Sequence, residues 1–173
     1  MDNGNCFQAL IDIIDPTLEY KGLLGRGAHG IVIKVRKEKD ILALKVNKIG
    51  KLSLEPEFMV QKSLSDIEGV PEAVHLYSKD AFLMELIGGE LLYKVYNVKD
   101  DFFHKLRNIA RQINERGYFV SPDMYEHNIM VGSDGNPWVI DFWGMDYTGV
   151  PVPQEVFDWS KRLIDGIERR YKL

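Results

Sequence analysis

Residues 121–144 read SPDMYEHNIMVGSDGNPWVIDFWG, from Ser121 to Gly144, and the reading of the fold turns on them. Two short apolar runs, Ile129-Met130-Val131 and Trp138-Val139-Ile140, flank a polar turn from Gly132 to Pro137. Strand-length apolar runs on either side of a Gly/Ser/Asp/Asn/Pro turn predict two antiparallel strands. That pairing brings Asn128, at the start of one strand, close to Asp141, at the end of the other. An amide oxygen and a carboxylate held together make a hard-oxygen site suited to Mg²⁺. Asp123 sits one loop away, free to orient a hydroxyl. The same residues also suit a polar turn between two core strands, so the rest of the chain decides whether the stretch serves a nucleotide.

The chain has 173 residues, of which 45% are hydrophobic and 28% charged. That length suits one domain or two joined lobes, with enough apolar surface for a core without staples. Net charge is −4, from 22 basic and 26 acidic residues. The balance argues against a nucleic-acid binder working by bulk charge. Cys6 is the single cysteine, so neither a disulfide framework nor a cysteine metal site is expected. No apolar run reaches the roughly 18 residues of a membrane span. MDNGN at the start lacks a signal-peptide pattern. The expectation is a cytoplasmic protein.

Cys6–Ile14 predicts a short amphipathic helix stopped by Asp15-Pro16. Gly25, Gly27 and Gly30 then form G-x-G-x-x-G, followed by the alternating, β-branched run Ile31 to Val35. A strand after the glycines excludes the dinucleotide-binding version, which needs a helix there. Glycines at a strand turn let backbone N–H groups approach phosphate oxygens where a Cβ would intrude. A glycine hairpin with no ligand fits the pattern as well. In Ile41–Val46, a period of two puts Ile41, Ala43 and Lys45 on one face and Leu42, Leu44 and Val46 on the other. A lysine in so apolar a run needs a carboxylate or a phosphate, unless its long stem reaches solvent.

Leu52–Ile67 predicts a helix with Ser53 as N-cap and Pro56 in the first turn. Glu57, Val60 and Leu64 share its apolar face, so Glu57 wants a cation and Lys45 is on the preceding strand. Glu55 competes for that role but sits off the face. Val74–Leu92 predicts two strands around Ser78-Lys79-Asp80, broken by Gly88-Gly89, a natural boundary between lobes. Asp100–Arg116 predicts a helix with a core stripe of Phe102, Leu106, Ile109 and Ile113 and a stop at Gly117. Gln154–Tyr171 predicts the last helix, with Val156, Trp159, Leu163 and Ile167 inward.

In this order, GRGAHGIV, ALKV, EFMVQKSL, LMELIGGE, D-x-x-x-x-N and IDFWG resemble the protein-kinase superfamily along most of the chain. The resemblance implies an α+β, bilobal kinase-like fold. Residues 1–87 would form an antiparallel sheet lobe with one main helix, and 88–173 a reduced, mostly helical lobe. It implies that Gly25, Gly27 and Gly30 cover the ATP phosphates and that Lys45 pairs them, held by Glu57. Val32 and Ala43 would line the adenine and Met84 would set the depth of its pocket. Backbone groups of Glu85 and Ile87 would bond its edge, and Glu90 would reach the ribose. Asp123 is implied as catalytic base, Asn128 and Asp141 as Mg²⁺ ligands, and Asp158 as a structural brace beneath the catalytic loop.

Departures from the pattern refine the class. The usual His-Arg-Asp is Ser121-Pro122-Asp123, Tyr125 replaces a common lysine, and D-F-G is Asp141-Phe142-Trp143 with Gly144 one place late. Residues 142–173 leave no room for a full activation segment or peptide-holding lobe. The short lower lobe, with Asp123, Glu126 and Asn128 in D-x-x-E-x-N, is most similar to the RIO kinases and to the small kinase of the KEOPS tRNA-modification machinery. The implied function is Mg-ATP-dependent transfer of the γ-phosphate to a hydroxyl by an atypical serine/threonine protein kinase. Two other readings stand beside it: a pseudokinase that binds nucleotide or acts as a scaffold, and a kinase for a small molecule such as a sugar or glycan. The acceptor, protein or small molecule, is not identified by the residues.

Overall fold

The computed structural model describes residues 3–27, 30–48, 53–119 and 124–171. The protein is mixed α+β, and among the described residues it holds four α-helices and a five-stranded antiparallel sheet. No described helix is long and apolar enough to cross a membrane. The chain divides into two compact units, Met1–Lys62 with Glu72–Leu86, and Ser63–Pro71 with Ile87–Leu173.

In the first unit, helix α1 (Asn3–Ile14) leads into strands β1 (Leu18–Arg26), β2 (Gly30–Lys37) and β3 (Asp40–Asn47). Helix α2 (Glu55–Leu64) follows, then β4 (Ala73–Ser78) and β5 (Ala81–Glu85). The sheet order is β1-β2-β3-β5-β4. Its two faces follow from the strand period. Leu44 and Val46 of β3 join Ile33, Val35 and Leu83 in a core closed by Ile11 of α1. Phe7, Leu10 and Ile14 pack around it, so α1 shows the i, i+3, i+4, i+7 spacing of a helix with one apolar face. Gln8 splices α1 onto the edge strand: its amide donates to the Leu18 carbonyl (3.0 Å) and accepts from the Tyr20 N–H (2.7 Å). An edge strand otherwise presents unpaired backbone groups.

The junction between α1 and β1 is tied by Asp15. Its carboxylate accepts from the Thr17 hydroxyl (2.6 Å), the Thr17 N–H (2.9 Å), the Tyr77 hydroxyl (2.7 Å) and Lys37 (3.2 Å). The Thr17 hydroxyl bond is the largest influence and the Tyr77 bond the next; they hold the carboxyl far below the usual carboxylate range despite partial burial. A carboxyl whose pKa falls on folding stabilises the fold above its unfolded pKa, and that contribution is lost as pH falls. Asp15→Ala is therefore expected to lower stability by about 2 kcal/mol at pH 7. The gap between mutant and wild type should narrow as pH drops below about 4. Urea titrations at pH 7 and pH 3 measure both; an equal gap at the two pH values would refute the carboxylate's role.

In the second unit come β6 (Gly89–Leu91), a 3₁₀ turn at Leu92–Lys94, helix α3 (Phe102–Glu115) and β7 (Tyr118–Phe119). Strands β8 (Ile129–Gly132), β9 (Pro137–Val139) and β10 (Asp146–Tyr147) precede helix α4 (Gln154–Tyr171). Strands β6, β8 and β9 form one small sheet, and β7 pairs with β10. The expected stripe of α3 is in the core: Phe102, Leu106 and Ile113 are inaccessible and Ile109 nearly so. Gly117 ends it with φ +83° and an N–H to the Asn114 carbonyl (3.0 Å). Residues 63–71 cluster with this unit because the Val139 N–H donates to the Gly69 carbonyl (2.8 Å) and Arg116 grips Asp66 (2.6 Å).

Two expectations need correcting. Helix α4 is rotated from the predicted stripe: Ser160, Ile164 and Ile167 are buried, whereas Trp159 is 45% exposed and stacks on Phe119 (5.8 Å between ring centroids). The phase is set by α3, where Arg107 donates to Asp165 (2.6 and 2.9 Å) and also meets Glu168. Asp158 is exposed and accepts from Gln154 of its own helix (3.0 Å), so it does not act as a buried brace.

Candidate functional site

Cross-strand partners share a face of a sheet. Strand register sets Val32 opposite Lys45, and Lys45 opposite Phe82. It also sets Ala43 opposite Met84, so Val32, Ala43, Lys45 and Met84 all lie on one face. Gly25 pairs with Val32 at the same end. Helix α2 covers part of this face, where Leu54 and Phe58 pack on Phe82 and Ala73 with Met84 at the margin.

The helix begins at Glu55, whose N–H donates to the Ser53 hydroxyl (3.1 Å), the expected cap. It is shorter than Leu52–Ile67, since Ser65 to Ile67 form turns. This start turns Glu57 inward and leaves Glu55 exposed. The Glu57 carboxylate accepts from the Lys45 ammonium at 2.5 Å, with the two residues 2% and 6% exposed. A buried ion pair of this kind is a poor source of stability, because desolvation offsets the attraction. Its value lies in fixing an ammonium at a chosen place on the sheet. Gln61, on the same side of α2 and almost inaccessible, donates to the Met84 sulfur (3.6 Å).

The three glycines of the hairpin separate into two kinds. A Cβ on Gly30 would lie 2.4 Å from the Val46 carbonyl oxygen, so this glycine is required by the packing of β2 on β3. Gly30 thus has a packing reason of its own, besides the expected phosphate approach. A Cβ on Gly25 would meet nothing within 4 Å, and one on Gly27 only the Gly30 carbonyl at 4.0 Å. Neither has positive φ. No described neighbour demands glycine at Gly25 or Gly27. Lys48, which carries no sequence motif, donates to the Gly27 carbonyl and holds the hairpin end. Gly30→Ala should therefore cost about 2 kcal/mol or more, while Gly25→Ala should leave stability unchanged within about 0.5 kcal/mol. Thermal melts of the two variants read both; equal destabilisation would overturn the distinction.

The other residues expected from the resemblance at an adenine edge and ribose have mixed surroundings. The Glu85 N–H already donates to the Glu72 carbonyl (2.9 Å), and the Glu85 carboxylate accepts from the Glu72 N–H (3.1 Å). Ile87 is half-buried, and Glu90 is exposed on β6 opposite Val131.

In the second unit, β8 and β9 pair as the sequence predicts, with Ile129 opposite Val139 and Val131 opposite Pro137. One step beyond the strands, the Ile140 N–H donates to the Asn128 carbonyl (2.9 Å). Asn128 and Asp141 are thus brought to the same end of the hairpin. Asp141 has φ +64°, in the left-handed region, and its carboxylate receives a long bond from the Trp143 N–H (3.4 Å). An aspartate in that conformation is held there by its surroundings, here by the buried Phe142 that follows. Such strain often marks a functional position. Both residues offer oxygen donors of the type Mg²⁺ prefers. Asp123, with Ser121 and Pro122, lies outside the described residues.

On the far side of Asp123 in the sequence, Glu126 pairs with Arg170 of α4 at 3.0 Å, and His127 stacks on Tyr93 (4.5 Å between centroids). Sequence reasoning singles out Glu126 but not its partner, because nothing local links positions so far apart. No family model matches the chain.

Proposed function

We propose that the protein is a bilobal, kinase-like phosphotransferase that moves the γ-phosphate of ATP to a hydroxyl. The observation that carries this is the buried Lys45–Glu57 pair on a sheet face shared with Val32, Ala43 and Met84, beside a hairpin whose Gly25 and Gly27 have no steric reason among the described residues. ATP bound with Mg²⁺ supplies the transferable phosphoryl group.

Lys45, fixed by Glu57, neutralises charge on the phosphates, and the absence of a Cβ at Gly25 and Gly27 lets the hairpin approach them closely, the Gly27 N–H itself being donated to the Gly30 carbonyl (2.9 Å). Val32, Ala43 and Met84 offer a flat apolar surface to the adenine, and the Glu85 carbonyl and Ile87 N–H serve its edge. Glu90 would reach the ribose. Asn128 and Asp141 would hold the Mg²⁺, whose charge would help neutralise the phosphates. Asp123 orients the acceptor hydroxyl and takes its proton. The acceptor oxygen bonds to the γ-phosphorus, the bond to the β–γ bridging oxygen breaks, and ADP leaves. Positioning and charge neutralisation do most of the work in such reactions.

An atypical serine/threonine protein kinase is the leading form of this reading. A small-molecule kinase is the second, favoured by a concave cavity beside residues 124–127. Incubation of the purified protein with γ-labelled ATP and a cell lysate tests the reading and separates the forms. Label in protein supports the first and label in small molecules the second. ATP binding with no loss of label under any condition would make the chain a nucleotide-binding pseudokinase instead.

A further inference from the structure

The second unit contains a cavity of about 530 Å³ bounded on one side by residues 124–127 and on the other by α4. That volume is in the range of small-molecule sites. Its floor is apolar, made by Met124, Leu163 and Ile167. Its rim is polar. Arg162, Gly166 and Arg170 line it from successive turns of α4, at i, i+4 and i+8, and so stand in a row along one helix face. Glu126 is paired with Arg170, whereas Arg162 is exposed and has no ion-pair partner among the described residues. In a chain of net charge −4 this is a local cationic rim.

Gly166 points to a ligand independently. It lies in the interior of an 18-residue helix, where glycine is the least favourable residue after proline. It does not have positive φ. A Cβ there would meet nothing closer than the Arg169 guanidinium at 4.0 Å, so no packing among the described residues requires its absence. The missing side chain lowers the wall of the cavity between the two arginines. No described residue fills the space it leaves.

We propose that this cavity binds a small hydroxyl-bearing phosphomonoester, of the size of a sugar phosphate. The guanidinium of Arg162 receives the phosphate, and Arg170, two turns along α4 and paired with Glu126, adds positive charge at the rim; planar guanidinium groups match phosphate oxygens with paired N–H bonds. The Glu126 carboxylate accepts from ligand hydroxyls, and the ring lies over Gly166 against Met124 and Leu163. Residues 124–127 join Asp123 to Asn128 in the sequence, so under the small-molecule form of the transfer proposed above the occupant is the hydroxyl acceptor, and in that respect the inference rests on that form.

Calorimetric titration of the full chain without ATP tests the cavity by itself. Glucose 6-phosphate and ribose 5-phosphate should bind more tightly than inorganic phosphate, and glucose should not bind. Arg162→Glu should weaken all three anions at least tenfold. Gly166→Leu should exclude the sugar phosphates. Gly166→Ala should raise Tm by about 2–4 °C while weakening sugar-phosphate binding several-fold. Absence of binding by all three anions at millimolar concentration, or affinities untouched by Arg162→Glu and Gly166→Leu, would overturn the proposal. Anion binding that follows these variants with no transfer of label from ATP would leave the cavity in place and remove the phosphotransfer reading. ATP turnover with no anion binding would do the reverse.

Discussion

Asp141→Gly is expected to change the stability of the protein by no more than about 1 kcal/mol while reducing phosphoryl transfer on the order of a thousandfold. The two effects have separate origins. Asp141 has φ +64°, a conformation that costs a residue with a Cβ about 1–2 kcal/mol and glycine almost nothing. The bond from the Trp143 N–H to its carboxylate is long, 3.4 Å, and contributes little. Because glycine also loses more chain entropy on folding, the net gain is at most about 1 kcal/mol. The carboxylate, in contrast, is one of the two metal ligands of the proposed reaction. Asp141→Asn separates the two effects further, since asparagine tolerates left-handed φ but brings no charge. Denaturant melts and a transfer assay on the three proteins give the answer. A large loss of stability in Asp141→Gly would mean that the carboxylate is structural.

Glu57→Ala carries the second large effect, a loss of about 3–5 kcal/mol, because it leaves the buried Lys45 ammonium without its carboxylate. Stabilities of whole domains are about 5–15 kcal/mol, so the variant will be close to unfolding. Its inactivity alone would then say nothing about function. The double variant Lys45→Met/Glu57→Leu resolves this. Replacing both members of a buried ion pair by apolar residues of similar volume is often neutral or stabilising. It should restore the melt to within about 1 kcal/mol of wild type and leave transfer abolished. A stable double variant that transfers phosphate at the wild-type rate would show that the pair serves the fold alone.

Much of the first unit is legible in the sequence because its signals are local. Alternation in Ile41–Val46 fixes which side chains share a face, and a serine followed by acidic residues fixes where α2 begins. Together these two patterns place Lys45 and Glu57 on facing elements. The Asn128–Asp141 juxtaposition is legible for the same reason, since a short turn leaves one antiparallel pairing. Helix α4 is not. Its apolar positions allow two neighbouring phases, and Arg107 of α3, gripping Asp165 and Glu168, selects the one that leaves Trp159 outside. Long-range polar contacts of that type leave no periodic trace. The role of Gly30 is hidden for a related reason. A G-x-G-x-x-G pattern cannot say which glycine is needed by the neighbouring strand, whereas the 2.4 Å that would separate a Cβ on Gly30 from the Val46 carbonyl oxygen does.

The central claim is that the chain moves the γ-phosphate of ATP and does so through Asp141. The most direct measurement is a time course of label leaving γ-labelled ATP, with purified protein and a heat-inactivated cell lysate as the source of acceptors, in Mg²⁺ and in EDTA, for wild type and Asp141→Asn. The account predicts label loss by wild type in Mg²⁺ only, and none by the variant although it folds. ATP left intact by wild type under every condition, or consumed equally by Asp141→Asn, would contradict it.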